Sequence, residues 1–213
     1  MLKLVTAPAT EPVTLAEAKA HLRVTASDEE TLITALIVSA RQAAEEFTRR
    51  AFITQTWDYA LDASGLGAGG DYGEGWSEGI EARSLKDAIE VPRPPLISVT
   101  SVKSYDTSNV EAVFSSSNYF VDTLSEPGRI ALNLGQVWPT NLRAANALIV
   151  RFVAGYGAAS AVPQKIKDAI LRHVAHLYEN REGAVNIQFA GQLGGDLPGD
   201  VKLLLSSYRV VML

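Results

Sequence analysis

Apolar positions along this chain follow a helical period at both ends and a period of two in the middle. Near the start, Leu15, Ala18 and Leu22 recur at spacings of three and four, which places them on one face of a helix. Thr14 and Glu17 fit a capping box, in which the hydroxyl takes the third backbone amide and the carboxylate reaches back to the cap. Ser27 with Glu30 repeats that device, and Asp28, Glu29 and Glu30 suit the positive end of a helix dipole. Leu32, Leu36, Ala40, Ala43 and Phe47 then form one stripe, flanked by Ile33, Ile37 and Ala44, with Arg49 and Arg50 in the last turn. The pattern predicts a helix from Asp28 to Arg50, about 34 Å long.

The middle of the chain reads as strands. Trp57, Tyr59 and Leu61 alternate with polar residues, and Ile89 and Val91 precede a Pro-Arg-Pro-Pro stop. Ile97 to Tyr105, Val110 to Phe114, Tyr119 to Asp122, Arg129 to Leu134 and Ala147 to Val153 follow, bounded by Asp, Asn, Ser, Pro and Gly. No helical stretch separates them, so they predict an antiparallel sheet or small sandwich. Helix returns at Pro163, placed at a first turn, with Ile166, Ala169, Ile170, Val174, Leu177 and Tyr178 as its buried face and Gly183 as a stop. After a loop rich in Gly and Gln, Pro198 opens a short apolar segment, helical to about Tyr208 with an extended tail to Leu213.

The fold class is therefore α+β: a helical bundle of two N-terminal helices, one long C-terminal helix and a short terminal one, with a large antiparallel β insertion. The expected division is 1–54 for the N-terminal helical part, 55–160 for the β-rich insertion, and 161–213 for the C-terminal helix and terminal arm, which packs with 1–54.

Composition narrows the classes. The chain has 213 residues, 47% hydrophobic and 20% charged, enough for a sizeable core. A net charge of −5 argues against nucleic-acid binding by bulk electrostatics. Cysteine is absent, which excludes disulfides and thiolate metal sites and suits assembly in the cytoplasm. Neither a signal peptide nor an apolar run long enough to span a membrane is visible, so a non-secreted protein without membrane contact is expected.

Gly65 to Gly79 breaks the pattern, with seven glycines in fifteen residues and three acidic residues. Such a stretch buries little and is expected to be a mobile loop. Tyr72 and Trp76 are its only aromatic groups and the candidate contacts within it.

Several motifs tempt. Gly65-Leu-Gly67-Ala-Gly69-Gly70 matches the dinucleotide pattern, but an acidic glycine-rich run follows where the mechanism needs a helix N-terminus. Gly75-Trp-Ser77-Glu-Gly79 matches the nucleophile elbow, yet no apolar strand leads into Ser77 and no helix leaves it. His173 and His176, three apart on a helix, have no further His or Cys to complete a metal site. A serine hydrolase would need Ser77 to meet His173 or His176. A ligand-binding β module would instead use Trp57, Trp138 and Tyr119, with the helices as support. The reading preferred over both involves no enzyme activity, no cofactor and no metal.

The chain resembles the head–tail connector (adaptor) proteins of tailed bacteriophages, prophages and gene transfer agents. The resemblance rests on Pro12-Val-Thr-Leu-Ala-Glu-Ala-Lys-Ala-His-Leu-Arg23, the acidic start Asp28-Glu-Glu30, Ala40-Arg41 with Glu45, the Thr48-Arg-Arg50 turn and Gln55-Thr-Trp57. It continues through Val91-Pro-Arg-Pro-Pro-Leu96, Ser98-Val-Thr-Ser-Val102, Tyr119, Trp138-Pro139, Phe152, Gly155-Tyr-Gly157, Pro163, Ile166-Lys-Asp-Ala-Ile170 and His176-Leu-Tyr-Glu-Asn-Arg-Glu182. The Gly65–Gly79 loop departs from it. The resemblance implies a virion protein of the neck, assembled in the bacterial cytoplasm: a ring of identical subunits, typically twelve, seated on the portal protein. Such a ring extends the DNA channel, with DNA only as passing cargo, and docks a stopper or other neck or tail protein.

Two sets of contact residues follow as expectations. The long helix, with the small residues Ala40, Ala43 and Ala44 and with Phe47, is expected at subunit contacts. The terminal segment carries more apolar residues than one face can bury, and a chain end normally frays. Leu203, Leu204, Leu205, Tyr208, Arg209 and Val210 are thus expected to bind the portal, Tyr208 and Arg209 as anchors because Tyr and Arg dominate interface hot spots.

Overall fold

The computed structural model describes residues 1–63, 88–180 and 197–210. The Gly65–Gly79 loop with Tyr72 and Trp76, Ser77, and the Gly183 stop all lie outside the described residues. The chain forms two compact units, one from Met1–Ala7 with Gln55–Gly155 and one from Pro8–Thr54 with Tyr156–Leu213.

The second unit is helical. Helix α1 (Leu15–Leu22) opens on the expected capping box: the Glu17 amide donates to Thr14 Oγ1 at 3.2 Å, and the Thr14 amide donates to the Glu17 carboxylate at 2.7 Å. The Thr14 amide, and then the Thr14 hydroxyl donating to the same carboxylate at 2.8 Å, hold the Glu17 carboxyl below its ordinary pKa. Helix α2 (Glu30–Thr48) is shorter than expected, about 28 Å at 1.5 Å per residue. The second capping box does not form, because its acids have tertiary partners. Glu30 accepts from Lys19 Nζ at 2.5 Å, and the Tyr178 hydroxyl donates to Glu29. Both helices stop on an arginine in the left-handed region, Arg23 (φ 58°) and Arg49 (φ 56°). The amides of Val24 and Arg50 donate back to the carbonyls of Lys19 and Glu45.

The buried line of α2 runs through Ile33, Ile37, Ala40 and Ala44 and includes Arg41, Glu45 and Thr48, whereas Leu32 is exposed. It is therefore rotated from the stripe expected through Leu32 and Leu36, because two charged residues lie inside. Arg41 Nε donates to Glu11 at 2.7 Å and its Nη1 to Glu45 at 2.6 Å. The other Glu45 oxygen accepts the Phe52 amide at 2.7 Å. One ion network thus joins the segment before α1, the middle of α2 and the chain beyond α2.

Helix α3 (Gln164–Glu179) begins after Pro163, which is its cap residue, and buries Ile166, Ala169, Ile170 and Val174 against α2. His173 is buried among them, bonded to the Ala40 carbonyl, while its Nδ1 has no hydrogen-bond partner. Helix α4 (Gly199–Leu205) adds Val201 and Leu205 to the same core and continues into a 3₁₀ turn, Ser206–Tyr208.

The first unit is built of two antiparallel sheets. The strands are β1 (Leu2–Thr6), β2 (Gln55–Leu61), β3 (Ala88–Val91), β4 (Leu96–Tyr105), β5 (Glu111–Phe114), β6 (Tyr119–Asp122), β7 (Gly128–Leu132) and β8 (Leu148–Ala154). Five strands pair in the order β1-β2-β8-β4-β5 and three in the order β3-β7-β6. Strand β1 was not anticipated. It is a short edge strand with mostly exposed residues, so its alternation carries little signal. On β8, Leu148, Val150, Phe152 and Ala154 are fully buried, while Arg151 on the other face forks onto Asp58 at 2.7 and 2.8 Å. Gly128 lets the two sheets approach, since a Cβ there would lie 2.6 Å from the Cβ of Leu96. Tyr119 and Trp138 pack on Phe114, with ring centroids 6.0 and 5.3 Å from it.

Two outcomes follow. Arg41→Ala leaves two carboxylates without their cation in a buried site and should cost about 3–5 kcal/mol in chemical denaturation. Arg172→Ala, which removes an exposed 3.4 Å pair with Asp200, should cost no more than about 1 kcal/mol. His173 is held below its ordinary pKa of 6.5, first by burial and then by repulsion from His176. Its neutral form therefore stabilises the fold fully above pH 6.5, and that stability is lost as pH falls from there toward the folded-state value. Between pH 7 and 5 the melting temperature should fall, and His173→Gln should flatten the profile.

Candidate interaction surfaces

The terminal segment shows how a sequence with too many apolar residues for one face resolves the surplus. Of the six residues expected at a partner surface, Leu205 is fully buried in the helical unit's own core. Leu204 packs partly against that core, and Leu203 is 74% exposed. Helical spacing accounts for this, because Val201 and Leu205, four apart, share the buried side.

Past the turn, the chain does not leave the body. Lys165 Nζ donates to Ser207 Oγ at 3.1 Å, and Arg50 Nε donates to the Tyr208 carbonyl at 2.5 Å. The Val210 amide donates to the Thr48 carbonyl at 3.0 Å. The Arg209 guanidinium lies over the Phe47 ring, 5.3 Å from its centroid, within cation–π range. Residues 206–210 thus form a strap across the C-terminal end of α2. The end of a helix leaves carbonyls without intrahelical donors, and the strap supplies one of them. Leu205, expected at the portal, belongs instead to the chain's own core, the segment to Val210 is fastened to the helical unit, and the three residues after it lie outside the described residues.

The expected subunit contacts on α2 divide in the same way. Ala40 and Ala44 are buried to within 1% by α2 packing within the chain, so they offer no surface to a second copy. Small residues do allow close approach here, but to the chain's own core. Ala43 and Phe47 are half-buried, and Phe47 carries Arg209.

The sheet unit displays apolar groups that the sequence reading did not single out. Phe120 is 63% exposed and Leu124 96% exposed. The signal for Phe120 was present: Tyr119 and Phe120 are adjacent on a strand, so only one of them can face the core. Leu124 sits on a turn organised by Asp122, whose carboxylate accepts from the amides of Leu124 and Ser125, the Ser125 hydroxyl and Arg129. Those bonds, with Ser125 and Arg129 foremost, hold the Asp122 carboxyl far below the usual carboxylate range.

Among the described residues the metal and ligand-binding alternatives gain no site, and Ser77, which the hydrolase alternative needs, lies outside them. His173 faces the core while His176 is exposed, and among the described residues no group of three His, Asp or Glu could hold a metal ion. Tyr119 and Trp138 are buried, and Trp57 is half-buried with Arg93 over its ring, so these aromatics are covered rather than displayed. One shallow depression of about 270 Å³ is lined by His21, Arg172, His176, Glu179 and Asp200. No helix among the described residues is long and apolar enough to cross a membrane.

The family described as phage gp6-like head-tail connector protein matches residues 12–126, from the α1 capping box through the Arg41 network to the Asp122 turn. No curated protein matches the chain. Among solved structures, a chain from the neck of an empty gene transfer agent (GTA) particle with C6 symmetry is 24% identical, with a TM-score of 0.73. A chain from the virion of a native GTA particle is 22% identical, with a TM-score of 0.72. A third, from the neck of a native GTA particle with C12 symmetry, is 23% identical, with a TM-score of 0.69. Each alignment covers all of this chain and 97% of the other.

Proposed function

Since the chain belongs to the phage gp6-like head–tail connector family, we propose that it is the adaptor of a phage-like particle, a ring of identical copies seated on the portal. In this reading the ring, typically of twelve subunits, extends the DNA channel and docks a stopper or other neck or tail protein. Subunits are made in the bacterial cytoplasm and end in the particle neck, and DNA passes without being held. The observation that carries the reading is the family match, supported by a fold shared end to end with chains from GTA particle necks computed with C6 and C12 symmetry.

Physical features agree with it. A cyclic ring needs two different, complementary surfaces on every subunit. The protein offers exposed apolar groups on separate rigid elements: Leu203 on α4, and Phe120 and Leu124 on the sheet unit. A net charge of −5 suits a conduit, because a strongly basic lumen would bind passing DNA. Portal contact falls to Leu203, Leu204, Tyr208, Arg209 and Val210, the members of the expected set that Leu205's burial leaves available. Ala43 and Phe47 remain the subunit-contact candidates on α2. Function then follows the division of the chain, with 8–54 and 156–213 working as one helical body and 55–155 as a β insertion that also takes in the N-terminal strand from 1–7.

Reconstitution with a portal protein from the same genome should give several copies per portal ring by native mass spectrometry. One copy per ring would overturn the ring, and no binding at all would overturn the portal assignment.

A further inference from the structure

We propose that Arg50, together with the Thr48 carbonyl and the Phe47 ring, is a clamp that positions the C-terminal strap for its partner. The proposal rests on the reading that residues 203–210 bind the portal. Arg50 belongs to the exit of α2, while the residues it would serve lie 158 positions further along the chain.

Three contacts converge on three consecutive strap residues: Arg50 Nε on the Tyr208 carbonyl at 2.5 Å, Phe47 beneath Arg209, and the Thr48 carbonyl on the Val210 amide at 3.0 Å. Two of them use strap backbone, so they fix its path without consuming its side chains. The Arg209 side chain remains exposed although it rests on Phe47, and Tyr208 is half-exposed. That is the arrangement expected of a recognition segment: main chain held, side chains offered. It differs from α4, where side chains at Val201 and Leu205 do the holding.

The geometry at Arg49 makes the clamp possible. Its left-handed conformation turns the chain at the end of α2 and is sealed by the Arg49 and Arg50 amides on the Glu46 and Glu45 carbonyls. Arg50 therefore enters from a fixed backbone. Ordering a tail before binding removes an entropic cost from the encounter, so a clamped strap binds more tightly than the same residues on a loose tail.

Portal affinity and melting temperature would be measured on the full chain and four variants. Truncation after Ser207 should abolish portal binding. Arg50→Ala should weaken it roughly tenfold with little change in melting. Arg50→Lys, which keeps a cationic donor, should recover most of the affinity, a rescue that loss of general packing would not give. Val210→Pro removes the amide bonded to Thr48 without touching α2, and Arg209 already has the extended backbone (φ −68°, ψ 125°) that a following proline requires. It should reproduce the Arg50→Ala loss, and it decides the matter if Arg50→Ala fails to fold. Abolition by truncation, with Arg50→Ala and Val210→Pro both within about twofold of the parent, overturns the clamp alone. Unchanged affinity after truncation overturns the portal reading beneath it.

Discussion

The helical unit depends on one buried cation. Arg41 lies between the carboxylates of Glu11 and Glu45, and Glu45 uses its second oxygen to hold the Phe52 amide. Those contacts bring together a residue ahead of α1, two residues one turn apart on α2, and the chain beyond the helix. Buried ion pairs are no better for stability than a well-packed apolar cluster, because both partners lose hydration. What the network supplies is registration: three segments can satisfy one guanidinium and one carboxylate in only one relative position. The left-handed turn at Arg49, the seat of the strap and the start of β2 all lie within a few residues of it.

Much of the fold was legible because its local signals and its tertiary contacts agree. The capping box at Thr14 formed as read, since Glu17 keeps both of its bonds within the first turn. The strands from β2 to β8 appear within about two residues of their expected limits, because turn residues bracket each alternating run. Where the reading failed, a distant partner had overruled a nearby one. Glu29 and Glu30 look like the opening of a capped helix but are taken by Tyr178 and Lys19. The buried face of α2 was misplaced because periodicity counts Arg41 and Glu45 as exterior, and only a partner at Glu11 makes them interior.

Surfaces were harder to read than elements, for a related reason. An apolar residue looks the same in sequence whether it fills its own core or waits for another chain. Leu203 and Leu205 are two apart on a short helix and differ from 74% exposed to fully buried. Composition could count the surplus at the C-terminus but could not say which members α2 and α3 would claim. The strap left no trace in sequence, since two of its three contacts run through backbone atoms that every residue carries.

The way the chain divides between its units bears on how the protein comes to be folded. Strand β8 occupies the middle of the five-stranded sheet, with β2 on one side and β4 on the other. It is also the last of the described strands to be synthesised, so the β1-β2 and β4-β5 pairs must wait on the ribosome with open edges until residue 154 emerges. The helical unit waits longer still, because α3 and α4 come after the sheet. Such long sequence separations slow folding relative to a chain of local contacts. The sheet unit can close only once residue 155 has emerged, and the helical unit only when the C-terminal helices have followed, so an interrupted nascent polypeptide lacks at least one of its packed units.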